Sequence, residues 1–228
     1  MARYSRLTVL NAIVETGLVP VFYKDDVDVA VKIVEACAAG GARCIEFTNR
    51  GDFAPFVFQD LARILSRSRP EVMLGAGSIV DAPTAAHYVA AGAHFIVGPV
   101  LNPEVARFCN RRKVSYSPGC ATASEISEAE ELGVEIVKIF PGGPVGGPAF
   151  VKSVLAPCPW TRIMPTGGVE PTRESINAWF KAGVSAVGIG SNLITNDLVK
   201  SGDFQSLTDK VAQVLQLIRE ARESQAAK

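Results

Sequence analysis

Eight short apolar runs, each followed by an amphipathic stretch, recur along most of this 228-residue chain. The runs are Leu18–Phe22, Arg43–Thr48, Val72–Leu74, His94–Val97, Val114–Ser117, Glu135–Phe140, Arg162–Pro165 and Ala186–Ile189. Their spacing of roughly 20 to 30 residues is that of one β-α unit. The stretches between them carry helical periodicity, as in Val27–Ala39, where Val27, Val31, Val34 and Ala38 form one stripe. Further helices are expected over Phe53–Ser66, Pro83–Ala91, Asn102–Arg111, Ala123–Leu132, Ala149–Leu155 and Arg173–Ala182. Thr122 and Glu125 have capping-box spacing, and Pro171 sits where a first-turn proline is tolerated. Gly40-Gly41, Gly92, Gly133 and Gly183 close helices before the next strand. Eight such units predict an α/β chain folded as a (β/α)8 TIM barrel over about residues 17–195. A doubly wound open sheet is the competing architecture, because a count of units does not establish closure. A leading helix is expected over Tyr4–Thr16 and a trailing one over about 204–224, with frayed ends at Gln225–Lys228. No Pro/Ser-rich linker or charge block interrupts the chain, so residues 1–228 read as a single domain.

Composition narrows the function classes. Nearly half the residues are hydrophobic (48%), enough for a full core. Lys plus Arg and Asp plus Glu number 23 each. With no basic surplus, neither nucleic acid nor an anionic membrane is an expected partner. No apolar run approaches membrane-spanning length, and the first residues lack the pattern of a signal peptide. Five cysteines without a C-x-x-C pair read as reduced, and the expected location is the cytoplasm.

Three charged residues stand out. Lys138 is flanked by Val137 and Ile139 in an interior run. Burial disfavours the charged form of an amine, and a neutral amine can attack a ketone to form a Schiff base. A lysine snorkelling from a strand end to water explains the same position without chemistry. Glu46 likewise interrupts the apolar run Cys44–Thr48, and strand alternation gives Arg50 the same parity. The two form either a structural ion pair or a buried general base beside a guanidinium that grips a carboxylate. The C-terminal strand ends of barrels are where active sites gather, which favours the chemical reading.

Glycines add a third signal. Thr166-Gly167-Gly168 ends the seventh run and Gly188-Ile189-Gly190-Ser191 ends the eighth. Exposed amides at these two loops suit a phosphate. Gly75-Ala76-Gly77-Ser78 offers a hydroxyl near the same mouth, or alternatively a helix cap. His87 and His94 have no second ligand at metal spacing, so no metal is expected. Cys120 reads as a packing residue, and Trp160 and Trp179 as packing or interface residues.

Taken together, Ile45-Glu-Phe-Thr-Asn-Arg50, Gly75-Ala-Gly-Ser78, Ser117-Pro-Gly119, Val137-Lys-Ile-Phe-Pro141 and Thr166-Gly-Gly168 resemble the KDPG/KHG aldolase family in order and spacing. The resemblance covers about residues 17–195. It implies a (β/α)8 barrel, usually trimeric, working through a metal-free lysine Schiff base. It further implies Lys138 as the Schiff-base lysine, Glu46 as proton acceptor and donor, and Arg50 as holder of the pyruvate carboxylate. Ser78 matches a pyruvate-contacting threonine. Gly98-Pro99 and Phe140 would line the pocket, and Thr166 matches a position tied to substrate preference. Gly167, Gly168, Gly190 and Ser191 match the phosphate region. The chain departs from the family at Gly142-Gly143 after Phe140-Pro141, at Asn49, and at Ser78.

The expected function is therefore a class I aldolase cleaving a 2-keto-3-deoxy sugar acid, with a keto-acid substrate, no cofactor, and a homotrimeric assembly. The substrates expected are 2-dehydro-3-deoxy-6-phosphogluconate and 4-hydroxy-2-oxoglutarate. A phosphate-binding barrel isomerase or a non-catalytic sugar-acid binding protein would share the glycine loops without needing Lys138.

Overall fold

The computed structural model describes residues 3–226. Strands β1 (Leu18–Phe22), β2 (Cys44–Thr48), β3 (Met73–Gly77), β4 (Phe95–Val97) and β5 (Ser115–Ser117) pair in parallel, in chain order. Strands β6 (Gly119–Cys120), β7 (Val137–Ile139) and β8 (Ile163–Pro165) form a second parallel set, and β9 (Val187–Ile189) pairs with β1. Two junctions close the ring. Pro118, which has no N–H for a ladder, separates β5 from β6, yet its carbonyl accepts from Lys138 N at 3.0 Å. At the other junction, Thr166 bridges Gly188 and Ser185 N donates to Ile163 O at 2.9 Å. With β5 and β6 counted as one broken strand, eight positions close a (β/α)8 barrel. The open-sheet alternative is excluded.

Helices follow the strands: α2 (Val27–Ala39), α3 (Ala54–Ser68), α4 (Ala82–Ala90), α5 (Pro103–Arg112), α6 (Ala123–Glu131), α7 (Gly147–Leu155), α8 (Arg173–Lys181) and the short α9 (Asn196–Ser201), which the sequence pattern does not announce. The Thr122–Glu125 capping box forms as expected. Pro171, however, lies outside its helix, because Thr172 is the N-cap of α8. The first-turn prolines are instead those of α3, α4, α5 and α7.

The leading helix α1 (Arg6–Thr16) plugs the N-terminal end of the barrel. Its Val9, Leu10, Ala12 and Ile13 pack on the interior residues Cys44, Met73, Phe95, Ile136 and Met164. Burying each large side chain of that plug stabilises by roughly 1.5–3 kcal/mol. The trailing helix α10 (Phe204–Ala226) packs on α2 and α8. Arg222 from α10 donates to the carbonyls of Val14, Glu15 and Ser185 at 2.7–2.8 Å, tying both terminal helices to the barrel. Helix α10 continues through Ala226, past the expected fraying point, and residues 227–228 lie outside the described residues.

Strand parity sorts the core into two. Ile45, Phe47, Leu74, Val137 and Ile139 face the helical shell, whereas Val19, Cys44, Met73, Ile136, Met164 and Ala186 fill the lower interior. One pleat closer to the C-terminal strand ends, the same parity turns to Glu46, Gly75, Lys138, Thr166 and Gly188. The barrel is apolar below and polar above.

Candidate active site

Two charged side chains occupy that upper layer. Glu46 is 1% exposed and Lys138 is 5% exposed. Glu46 sits in register with Val21 and Gly75, and Lys138 with Gly119 and Met164. They enter from opposite sides of the ring. Lys138 Nζ stands 4.9 Å from the centroid of the Phe140 ring, a cation–π distance. Burial pushes the Glu46 carboxyl above its ordinary value of 4.5, and the charges of Lys138 and Arg50 partly oppose that rise. Glu46 Oε2 is buried and makes no hydrogen bond among the described residues, and Thr166 Oγ1 is in the same condition. Buried polar atoms without a partner are rare. Arg6 Nε, Thr16 Oγ1, His94 Nδ1 and Thr161 Oγ1 are also unpartnered elsewhere, whereas Glu46 Oε2 and Thr166 Oγ1 share the polar upper layer of the barrel.

Arg50 does not extend β2. The strand ends at Thr48, and Arg50 stands exposed on the loop beyond, with no ion pair to Glu46 among the described residues. The structural ion-pair reading fails. That loop is anchored at Asn49, whose N–H donates to Gly77 O at 2.8 Å and whose Oδ1 accepts from the buried Tyr88 hydroxyl at 2.9 Å.

Above the polar layer opens a pocket of about 550 Å³. Arg50, Phe140 and Thr166 line it, together with Gly167, Gly168, Gly190 and Ser191. No backbone carbonyl accepts from the N–H groups of Gly167, Gly168 or Ser191 among the described residues. Backbone amides left in this way are suited to receiving an anion. Ser78 and Pro99 are not in this wall. Ser78 follows β3 with left-handed backbone, φ 60°, a conformation that costs about 1–2 kcal/mol without glycine. Asp81, not Ser78, caps α4, so the helix-capping alternative fails. The Pro99 carbonyl packs tightly against Gly119, where a Cβ would collide with it.

Several site residues were not legible beforehand. Tyr23, Lys24, Thr48, Asn192, Asn196 and Lys200 also line the pocket. Only Thr48 carried a signal, since it shares the parity of Glu46. Gly75 and Gly77 were expected beyond β3 but belong to it. A Cβ at Gly77 would overlap the Glu46 carboxylate, so this glycine makes room for it. Gly77→Ala is therefore expected to displace Glu46 and lower kcat about 100-fold, a loss comparable to that of a 1 Å misplacement. Steady-state kinetics on the folded variant, at a temperature well below its melting point, would check it; an unchanged kcat would refute the crowding argument.

Gly142 and Gly143, the departure noted in the sequence, also find a role. Their N–H groups donate to Thr166 O and Gly167 O at 2.9 Å. A Cβ on Gly168 would come within 2.7 Å of Gly143 Cα. The Pro/Gly-rich segment lies backbone to backbone against the Thr166–Gly168 loop. Cys120 is buried, and burial pushes its thiol up to about 12, in keeping with packing. Trp179 is buried in the shell and Trp160 is exposed. All five cysteines are free. Among the described residues no cluster of three or more His, Cys, Asp or Glu could hold a metal, and no helix is long and apolar enough to cross a membrane.

A closed barrel with a buried lysine and carboxylate below a glycine-lined mouth fits a carbon–carbon lyase of the aldolase class, and known proteins agree. The sequence profile described as KDPG and KHG aldolase matches residues 9–210, and the chain belongs to that family. It is 35% identical over 209 residues to a 2-dehydro-3-deoxy-phosphogluconate aldolase of Pseudomonas aeruginosa, covering 92% of this chain and 89% of that one. It is 30% identical over 202 residues to the KHG/KDPG aldolase of Escherichia coli K12, covering 88% and 92%. A solved KDPG aldolase from Legionella pneumophila, with pyruvate captured at low pH as a covalent carbinolamine intermediate, superposes with a TM-score of 0.79. That match has 26% identity and covers 89% of this chain and 96% of the other.

Proposed function

We propose that this chain cleaves 2-dehydro-3-deoxy-6-phosphogluconate to pyruvate and glyceraldehyde 3-phosphate through a Schiff base on Lys138. It also takes 4-hydroxy-2-oxoglutarate, releasing pyruvate and glyoxylate. The observation carrying this reading is the convergence of buried Lys138 and Glu46 beneath a mouth that holds Arg50 and a glycine rim.

The Lys138 amine adds to the C2 ketone, and the carbinolamine loses water with a proton from the Glu46 carboxyl. The resulting iminium is an electron sink. Glu46, now a carboxylate, takes the C4 hydroxyl proton, the C3–C4 bond breaks, and its electron pair passes to the iminium as an enamine. The aldehyde departs. Glu46 returns its proton to C3, and water releases pyruvate from Lys138. Raising the Glu46 carboxyl above its ordinary value suits both roles, because a group that gives and takes a proton works best near the operating pH. Arg50 holds the substrate carboxylate. The amides of Gly167, Gly168 and Ser191, with Gly190, receive the distal phosphate, beside Thr166. Ser78 and Pro99 lie outside this wall, and their contact with the pyruvate half rests on the family resemblance alone. The chemistry asks for no metal or cofactor. Likeness to the family supports a homotrimer of single-domain subunits, and the free cysteines suit the cytoplasm.

The test is twofold. Pyruvate with borohydride should leave a reduced adduct that peptide mapping assigns to Lys138. Pyruvate release from both substrates should favour the phosphorylated one in kcat/KM. No adduct, or one scattered over surface lysines, would reject the aldolase mechanism. A preference for the smaller substrate would reject the phosphate assignment. Arg50→Lys should raise KM about tenfold or more with a smaller change in kcat, since an ammonium cannot reproduce the planar fork. An unchanged KM would remove Arg50 from the carboxylate role.

A further inference from the structure

A second cavity, of about 250 Å³, lies at the opposite end of the barrel from the mouth. It is bounded by the C-terminal half of α3, the turn before β3, the end of α4 and the start of β4. The mechanism uses none of it. Its walls are largely apolar, with Leu65 and Leu74 among them, whereas three arginines, Arg3, Arg63 and Arg69, also line it, and no Asp or Glu does so among the described residues. Arg63 makes no ion pair within 4.0 Å among the described residues. Arg69 meets Glu71 only at 3.7 Å, and Arg3 spends one donor on Ser66 O at 3.1 Å. His94 forms an end wall, held edge-on at 5.2 Å by Tyr4, whose hydroxyl donates to Pro70 O at 2.6 Å.

Like charges around an apolar cleft repel one another, and an anion relieves that repulsion. Guanidinium forks match a carboxylate in bidentate geometry. The volume exceeds the roughly 150 Å³ that accommodates benzene in a protein interior. We propose that this cleft is a binding site for a small organic carboxylate with an apolar body the size of an aromatic ring, its anionic end on Arg63 and Arg69. The site is separate from the mouth and does not depend on the aldolase reading.

Benzoate is the probe, with benzamide as its neutral isostere and inorganic phosphate as an anion without the apolar body. Titration calorimetry of the full chain should give saturable, one-to-one benzoate binding, with benzamide and phosphate at least tenfold weaker. Arg63→Ala and Arg69→Ala alter polar side chains at the cleft and should each weaken benzoate about tenfold or more, the loss expected for one charge-assisted hydrogen bond. Both variants should keep wild-type kcat and KM without benzoate. Arg50→Ala should leave benzoate binding unchanged. The proposal is overturned by an absence of saturable binding, by equal binding of benzamide or phosphate, or by binding that survives both arginine variants. It is also overturned if Arg50→Ala abolishes binding, which would put benzoate in the mouth.

Discussion

Lys138→Met is expected to abolish pyruvate release from both substrates while leaving the protein folded. The lysine is 5% exposed on an interior strand between Val137 and Ile139, and methionine fills a similar length with an apolar chain. Among the described residues the amine makes no ion pair within 4.0 Å, so its removal breaks none. The loss of turnover has a different origin. Without an amine at C2 no iminium forms, and the electron pair of the breaking C3–C4 bond has no sink. The borohydride adduct should vanish with the activity while the variant still melts as a folded protein. Retained turnover in this variant would show that Lys138 is a snorkelling strand-end lysine.

Glu46→Gln is expected to lower kcat by about 10²–10⁴-fold, the usual contribution of a positioned proton-transfer group. Borohydride trapping of pyruvate on Lys138 should persist more slowly, because the amine is still present. The same substitution carries a stability signature of definite sign. Burial raises the carboxyl in the folded state above its ordinary value of 4.5. Above pH 4.5 the unfolded chain gives up this proton first, so ionisation favours unfolding and the contribution of Glu46 to stability falls as pH rises. Below 4.5 both states hold the proton and the effect disappears. Glutamine never ionises. The variant should therefore melt higher than wild type at neutral pH, with the gap closing as pH falls towards 4.5. Melting curves across pH 4 to 8 would read this directly. A variant less stable than wild type at neutral pH would mean that the carboxylate is held by favourable contacts rather than strained by burial.

Lys138 and Glu46 were legible because a charge inside an apolar strand is a local anomaly, visible without any knowledge of neighbours. Strand parity then assigned both to the side that turns away from the helical shell, and the glycine loops after β8 and β9 were readable for the same local reason. Other features were hidden because their cause is not local. Gly75 and Gly77 look like turn residues in the chain, yet they continue β3 because Phe95 and Glu46 need the space that side chains there would take. Helix α9 has six residues and none buried, too short and too polar to leave a periodic trace. Lys24, Asn192, Asn196 and Lys200 reach the mouth only because the loops after β1 and β9 are neighbours in the closed ring.

By itself the sequence determined the repeating β-α units, the face on which each strand residue falls, and the identity of the two interior charges. These follow from period and from the cost of placing an ion among apolar neighbours. Tertiary structure alone decided that β2 and β7, distant in the chain and not paired with each other, put their charges above one apolar floor sealed by α1. It also decided that Arg50 stands at the mouth rather than against Glu46. The physical reason is closure: hydrogen bonds between β8 and β9, and the broken strand at Pro118, bend the sheet until its far edges meet, and only then do side chains from opposite sides share one interior layer.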